Sequence, residues 1–426
     1  MTYREFYSPI ADCRLCGNRD LKTVLDLGLH ALSGTFPKTR AAKVPSGPLT
    51  LLKCFDCGLV QLAGTYDLAS LYGGDYGYRS GLNGSMVRHL HGKAKTIEDR
   101  IDLKPGDLVI DIGSNDGTLL RGYATDGLRL LGVDPTADKF RSYYPENAEV
   151  VADFFPAEAV KEHIGNAKAR VVTSIACFYD LERPLEFAAD VLDVLREDGL
   201  WVFEQSYLPA MIAARSYDTV CHEHLEYYAM AQIDYIAKQT GLKIVDVEFN
   251  DTNGGSFCVT ASRASSPYQP FDYGDILMRE EALGFASTEP FDGLKSFMES
   301  HRRRLRALLE TLKRSGKTVL GYGASTKGNV LLQYCGIGRD LLPAIAEVNQ
   351  DKFGCFTPGT GIPIISERDA RDLRPDYFFV LPWHFRDSII ARESAFLSEG
   401  GRLIFPLPDA MIVWSRRGQV HQRMAA

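Results

Sequence analysis

A chain of 426 residues exceeds one ordinary domain, and its 45% hydrophobic and 24% charged residues supply enough apolar surface for two or three cores. No apolar run reaches the roughly 20 residues of a membrane span, and Met1-Thr2-Tyr3-Arg4-Glu5-Phe6-Tyr7 lacks the basic start and apolar core of a signal peptide, so a cytoplasmic location is the default expectation. A formal net charge of −7 runs against a nucleic-acid partner, which needs a basic face; Arg302, Arg303, Arg304 and Arg306 cluster within a helical pattern and read as a solvated face.

Residues 1–80 hold short apolar segments broken by turn residues, with little material for a core. They also carry two Cys-x-x-Cys pairs, Cys13/Cys16 and Cys54/Cys57, each followed by glycine. In a reducing compartment such pairs are metal ligands rather than disulfides. A tetrahedral four-cysteine zinc site explains how this stretch folds, since structural zinc contributes on the order of 10–16 kcal/mol in small peptides. Neither pair opens a helix after a strand, which disfavours a redox role. The stretch between the pairs is longer than in the usual zinc ribbon.

Residues 81–262 alternate strand and helix patterns. Apolar runs at Leu108–Asp111, Leu130–Asp134, Glu149–Asp153, Arg170–Ile175 and Leu200–Glu204 predict a parallel, doubly wound sheet. Lys243–Phe249 and Ser256–Ala261 flank Asn253-Gly254-Gly255, which predicts an antiparallel hairpin at its edge. Residues 263–290 are rich in Ser, Pro, Tyr and Gly and read as a linker opening the last unit, 263–426. A long amphipathic helix follows at about 291–315. A second α/β unit then has strands at 317–323, Ala344–Glu347, Tyr377–Leu381 and Arg402–Phe405.

Three motifs carry chemistry. The first, Asp111-Ile112-Gly113-Ser114-Asn115-Asp116-Gly117, follows the first strand of the central sheet. Its glycines allow a tight turn and close approach to a ligand. Asn115 replaces the second glycine of a dinucleotide fingerprint, and Asp116 opens the helix, so a pyrophosphate is disfavoured. A phosphate-free ligand with a cationic centre suits the loop. Asp134, about 20 residues on, is placed to accept ribose hydroxyls, and Asp153-Phe154 to hold an adenine. These features resemble the class I S-adenosylmethionine-dependent methyltransferases.

The second motif is Cys221-His222-Glu223-His224-Leu225-Glu226-Tyr227-Tyr228, soon after the fifth strand. An isolated His-x-His is more often structural than catalytic. Ligands, however, bind at the carboxyl ends of strands in open α/β sheets, and histidine exchanges protons near neutral pH. The third is Gly321-Tyr322-Gly323-Ala324-Ser325-Thr326-Lys327-Gly328-Asn329, between a strand and a helix. Alone it divides evenly between a phosphate cradle and a helix-packing turn.

The whole chain resembles the three-domain methyltransferases that C-methylate nucleotide-linked keto-deoxysugars. The resemblance rests on the four cysteines, Tyr76-Gly77-Tyr78-Arg79-Ser80, Glu223-His224-x-x-Tyr227, the 321–329 motif and Pro382-Trp383-His384-Phe385. It implies an N-terminal zinc domain, a central methyltransferase domain and a C-terminal Rossmann-like domain. S-Adenosylmethionine would then lie on Asp111, Gly113, Asn115, Asp116, Gly117, Asp134, Asp153 and Phe154. It also implies that His224 deprotonates a carbon beside a ketone and the enolate takes the methyl. Glu223 and Tyr227 arrange the sugar, Tyr76 or Tyr78 contacts the keto oxygen, and Cys221 borders the reacting centre. The sugar-nucleotide diphosphate falls to Gly323, Ser325, Thr326, Lys327 and Asn329. Glu347, Asn349, His384 and Arg386 offer further contacts; Trp383 reads as core. Two positions depart from the family: Cys221 stands where tyrosine is frequent, and Tyr179 lies where a histidine is frequent. Both leave O-methylation of a nucleotide-linked or polysaccharide-precursor sugar open as the alternative. The sugar, the nucleotide and the choice between monomer and dimer stay open.

Overall fold

The strands form where β-branched and aromatic residues run between glycine and polar turns, and they assemble into three sheet-based units around one cleft. The computed structural model describes residues 6–67, 71 and 78–425; Tyr76 lies outside them. In the first unit, β1 (Tyr7–Pro9) pairs with β5 (Gly64–Tyr66), while β2 (Leu21–Ala31), β3 (Ser46–Cys54) and β4 (Val60–Leu62) form an antiparallel meander. β3 alternates inward Leu49 and Leu51 with less buried Thr50 and Leu52, the period of a strand with one face on a core.

The central unit holds β6 (Leu108–Ile112), β7 (Arg129–Val133), β8 (Ala148–Val151), β9 (Ala169–Ile175), β10 (Leu195–Ser206), β12 (Leu242–Asn250) and β13 (Ser256–Arg263). Their order is β12-β13-β10-β9-β6-β7-β8, or 3-2-1-4-5-7-6 counted within the unit from the other edge. β6 to β10 are parallel, and β13 runs antiparallel between β10 and β12. The strand order reverses between β6 and β9, the crevice where such sheets bind ligands. Helix α1 (Gly84–Arg100) precedes the sheet, capped by Asn83, and buries the stripe Met86, Leu90, Ala94 and Ile97. Helices α2 (Pro184–Val194) and α3 (Met230–Thr240) pack against each other.

One short strand crosses the expected boundary. β11 (Glu226–Tyr227), the end of the His-rich octet, pairs with β4: Glu226 opposes Gln61 and Tyr227 opposes Val60. The sheet of the first unit therefore reads β11-β4-β3-β2.

Residues 263–290 are more than a linker. Helix α4 (Gly274–Ala282) forms there, and its buried Glu280 accepts hydrogen bonds from Tyr207 Oη (2.7 Å), the Met230 amide (2.6 Å) and the Ala231 amide (3.1 Å). The carboxylate thus satisfies the orphan amides at the start of α3, a role that composition does not reveal. Helix α5 (Glu289–Arg314) buries Phe291, Leu294, Met298, His301, Leu305 and Leu309, spaced as one helical face.

The third unit contains β14 (Val319–Tyr322), β15 (Ile345–Glu347), β16 (Ile364–Ser366), β17 (Tyr377–Val380), β18 (Arg402–Phe405), β19 (Met411–Arg416) and β20 (Gln419–Met424). The order is β16-β15-β14-β17-β18-β19-β20, parallel through β18. Its switch point lies between β14 and β17, and helix α6 (Thr326–Cys335) starts just after β14. The carboxyl ends of both parallel sheets border one shared cavity.

Candidate functional site

The four cysteines of the first unit converge. Their sulfur atoms all lie within 4.8 Å of one another, with Cys13 Sγ 3.6 Å from Cys57 Sγ and Cys16 Sγ 3.5 Å from Cys54 Sγ. A tetrahedron of 2.3 Å Zn–S bonds has edges of about 3.8 Å, so the donor set fits zinc. Gly17 (φ 73°) and Gly58 (φ 77°) turn each knuckle through left-handed backbone and return their amides to the Cys13 and Cys54 carbonyls, at 2.9 and 3.1 Å. Gln232 of α3 donates to the Cys57 carbonyl (2.9 Å), so the cluster is seated on the central unit.

The cavity between the units measures about 1070 Å³. On the central side, Gly113 turns at φ 72°, and a Cβ there would come within 2.9 Å of Cys177 Cβ. Asp134 accepts from the Asn115 amide (2.9 Å), the Thr136 amide (2.7 Å) and Thr136 Oγ1 (2.6 Å), which fixes its carboxylate at the cavity wall. Asp111 also borders the cavity; burial pushes its carboxyl up to about 7, with Thr173 Oγ1 donating at 2.6 Å. Asp153 and half-exposed Phe154 line the wall beyond β8. An acid after the second strand and an open aromatic after the third are the groups a ribose and an adenine require, so these residues fit S-adenosylmethionine.

Asn115 reaches the cavity, but its side chain is engaged. It accepts from the Ser80 amide (2.9 Å) and donates to the Tyr78 carbonyl (3.3 Å). Asp116 and Gly117 do not border the cavity. The Asp116 carboxylate is buried, accepts from the Gly81 amide (3.0 Å) and faces Arg79 and Arg121 at 3.8 Å. Together the two residues hold the segment carrying Tyr78, whose half-exposed side chain stands at the cavity.

Within the octet the structure separates the two histidines. His222 is fully buried away from the cavity, with Nδ1 2.9 Å from Ser33 Oγ and its ring edge-on to Tyr66 at 4.8 Å. His224 borders the cavity. Its Nδ1 donates to the Thr219 carbonyl at 2.9 Å, which leaves Nε2 as the acceptor nitrogen of the neutral ring. Burial, then the charge of Lys327, lowers this imidazole to about 3. The Tyr179 ring lies 4.1 Å away. Glu223 lines the cavity beneath Gly34, and burial raises its carboxyl. Cys221 borders the cavity as well; Tyr227 does not, its hydroxyl lying 3.5 Å from the same Thr219 carbonyl.

On the C-terminal side, Gly323, Ser325, Thr326, Lys327, Glu347, Asn349 and His384 line the cavity. Ser325 caps α6 by accepting from the Gly328 amide (3.1 Å). Lys327 Nζ donates to the Asn253 carbonyl across the boundary, at 2.8 Å. Glu347 folds back on the Ala324, Val348 and Asn349 amides at 2.7–2.8 Å. Asn329 is fully buried away from the cavity and donates to the Ser33 carbonyl (2.8 Å). Arg386 also lies off the wall, paired with Asp387 at 3.2 Å. Several wall residues carried no sequence signal. His89 of α1 meets Glu204 at the end of β10, Lys352 lies 4.2 Å from the Phe36 ring centre, and Arg392 bonds Glu367 at 2.6 Å. His89 falls on a helix face and Lys352 in a turn, where single charged residues are ordinary.

A doubly wound sheet with a ribose-type acid after its second strand, joined to a four-thiol zinc unit, defines a class I S-adenosylmethionine-dependent methyltransferase. Three family models match in series: "Putative zinc binding domain" over 13–72, "Methyltransferase domain" over 86–247 and "C-methyltransferase C-terminal domain" over 251–408. The C-methyltransferase NovU of Streptomyces niveus is 32% identical over 415 residues, covering 96% of this chain and 98% of that protein. The chain therefore belongs to this three-part C-methyltransferase family, and it transfers methyl groups to carbon. Among solved structures, an O-methyltransferase family protein from Burkholderia thailandensis is 18% identical, with 44% of this chain and 59% of that one covered at a TM-score of 0.32. The plantazolicin methyltransferase is 13% identical, with 43% and 87% covered at 0.34. Likenesses this low carry no argument about the acceptor. No helix among the described residues is long and apolar enough to cross a membrane.

Proposed function

We propose that the acceptor is the carbon next to a ketone on a nucleotide-linked deoxysugar, and that His224 is the base that deprotonates it. The observation that carries this reading is the His224 ring itself. Its Nδ1–H is held by the Thr219 carbonyl, so Nε2 offers a lone pair in a cavity running from Asp134 to the Ser325–Lys327 turn. A cavity of about 1070 Å³ suits two ligands side by side, since one small ligand occupies the lower part of the usual 300–1000 Å³ range.

S-Adenosylmethionine supplies an electrophilic methyl on a sulfonium centre. Asp134 would take its ribose hydroxyls, and Phe154 would hold its adenine. Ser325, Thr326 and Lys327, at the start of α6, take the diphosphate, where backbone N–H groups and a lysine favour anions. His224 Nε2 removes the proton once the bound diphosphate offsets the Lys327 charge that, after burial, depresses the free ring. The enolate carbon would bond the methyl with the electron pair the C–H bond leaves, while the methyl–sulfur bond breaks and its pair stays on sulfur, leaving S-adenosylhomocysteine. Tyr78 and Glu223 hold the keto and hydroxyl groups. On this reading residues 1–80 supply a wall, 81–262 the donor and base, and 263–426 the nucleotide site.

Deuterium exchange at the acidified carbon, product ¹³C NMR and a His224→Ala variant test the proposal with a nucleoside diphosphate 4-keto-6-deoxyhexose. The expected product carries a C-methyl, and the variant loses turnover while still binding both ligands. A product methyl on oxygen, or full turnover by the variant, overturns it.

A further inference from the structure

We infer that Trp383, on the third unit, is a positioning residue for His224 on the central unit, acting through Asp218 and the Thr219 carbonyl. The inference rests on the reading of His224 as the base. Trp383 lies in a single turn after β17 and does not itself border the cavity, although Pro382 and His384 on either side do. Its indole Nε1 donates to Asp218 Oδ2 at 2.7 Å. Asp218 is fully buried in the turn Tyr217–Thr219, and its other oxygen accepts from Ser216 Oγ at 3.0 Å. Ser216 Oγ in turn lies 2.9 Å from Thr219 Oγ1. The next link is the Thr219 carbonyl, which takes the His224 Nδ1–H at 2.9 Å.

Each link has a physical reason to hold. A buried carboxylate left without donors costs free energy of desolvation, so Asp218 keeps the orientation that meets both Trp383 and Ser216. That orientation sets the turn, and the turn sets where the Thr219 carbonyl points. The two neutral tautomers of an imidazole are close in energy, and the hydrogen bond at one nitrogen selects which nitrogen keeps its lone pair. If the carbonyl swings away, the proton settles on Nε2, which then presents N–H to the substrate carbon and cannot accept from it. The same indole also lies against the hairpin turn of the central unit, with Cη2 3.5 Å from an ideal Cβ on Gly254. Trp383 therefore bears on two turns of the neighbouring unit. Its hydrogen bond is the one that leads to the base.

The test uses the full-length, zinc-loaded enzyme labelled with ¹⁵N-histidine, the His224 ring signals being assigned by their loss in His224→Asn. In the unaltered protein Nδ1 is the protonated ring nitrogen. Trp383→Phe keeps the packing and deletes the donor. A second signal set with Nε2 protonated is expected, together with a fall in kcat of about 10-fold or more, since small misplacements at a reacting centre are costly. The KM for S-adenosylmethionine and for a nucleoside diphosphate 4-keto-6-deoxyglucose probe is expected to stay within about two-fold. Asp218→Asn keeps an acceptor for the indole and restores the Nδ1–H tautomer and most of kcat, whereas Asp218→Ala does not. Unchanged tautomer and kcat in Trp383→Phe overturn the inference. So does a fall in thermal stability with the folded fraction still in the Nδ1–H form. Full activity in His224→Ala instead overturns the assignment of the base, and the tautomer spectra then still report whether Trp383 positions the ring.

Discussion

The pH dependence of kcat/KM is the sharpest check on His224. A general base works in its neutral form, so activity is complete above its pKa and falls away below it. An ordinary imidazole near 6.5 is only about 9% neutral at pH 5.5. An enzyme relying on it loses about ten-fold in kcat/KM between pH 8 and 5.5. Burial and Lys327 bring His224 to about 3, where the ring stays more than about 99% neutral at pH 5.5. The acid limb should therefore be flat to pH 5.5. Because kcat/KM reports the free enzyme, it probes the environment described above. Lys327→Met removes the second cause of the shift while burial remains, so the limb should move upward yet stay below 6.5. The assay is methyl transfer from labelled S-adenosylmethionine to a nucleoside diphosphate 4-keto-6-deoxyhexose, with zinc content checked at each pH. A limb breaking between pH 6 and 7 in the unaltered protein refutes the buried, neutral base.

Other expectations follow from single contacts. Cys54→Ser should abolish stoichiometric zinc by elemental analysis and unfold at least the first unit by circular dichroism, because about 10–16 kcal/mol of metal binding rivals a whole domain's stability. Asp134→Ala should weaken S-adenosylhomocysteine binding by about 10–100-fold in calorimetry, the worth of hydrogen bonds to a charged group. An unchanged affinity would place the ribose elsewhere. Gly34→Ala drives a Cβ into Glu223 Oε1. That carboxylate must move, so kcat should drop several-fold while zinc content and melting temperature change little; an unaltered kcat would remove Glu223 from the reaction.

The parallel strands of both large units were legible because their apolar runs are long and bounded by glycine or acid turns, as at Leu108–Asp111 and Tyr377–Leu381. The zinc ligands were legible for a different reason, since paired cysteines with trailing glycines have few other uses. Helix α4 was not, because the Ser, Pro and Tyr residues around it suggest loop and its Glu280 acts only through a distant helix start. The hairpin β19–β20 was missed because β20 is mostly exposed and polar and lacks a buried period-two face. At the site, motif spacing located the loops but not the direction of each side chain. Asn329 belongs to a phosphate-type motif, yet α6 turns it toward Ser33. Asp116 lies in the cofactor loop, yet its carboxylate meets the Gly81 amide. Trp383 looks like core, and only the folded chain shows its indole bonded to a carboxylate from another unit.

The pairing of β11 with β4 has a practical consequence for anyone recombining these enzymes. The two residues after His224-Leu225 are an edge strand of the zinc-bearing sheet, so sequence adjacency is a poor guide to which pieces travel together. A chimera that takes its first 80 residues from one relative and the following segment from another cuts through a hydrogen-bonded ladder that starts two residues from the candidate base. Exchange of acceptor preference between relatives should succeed only when the N-terminal unit and residues 216–228 come from the same parent.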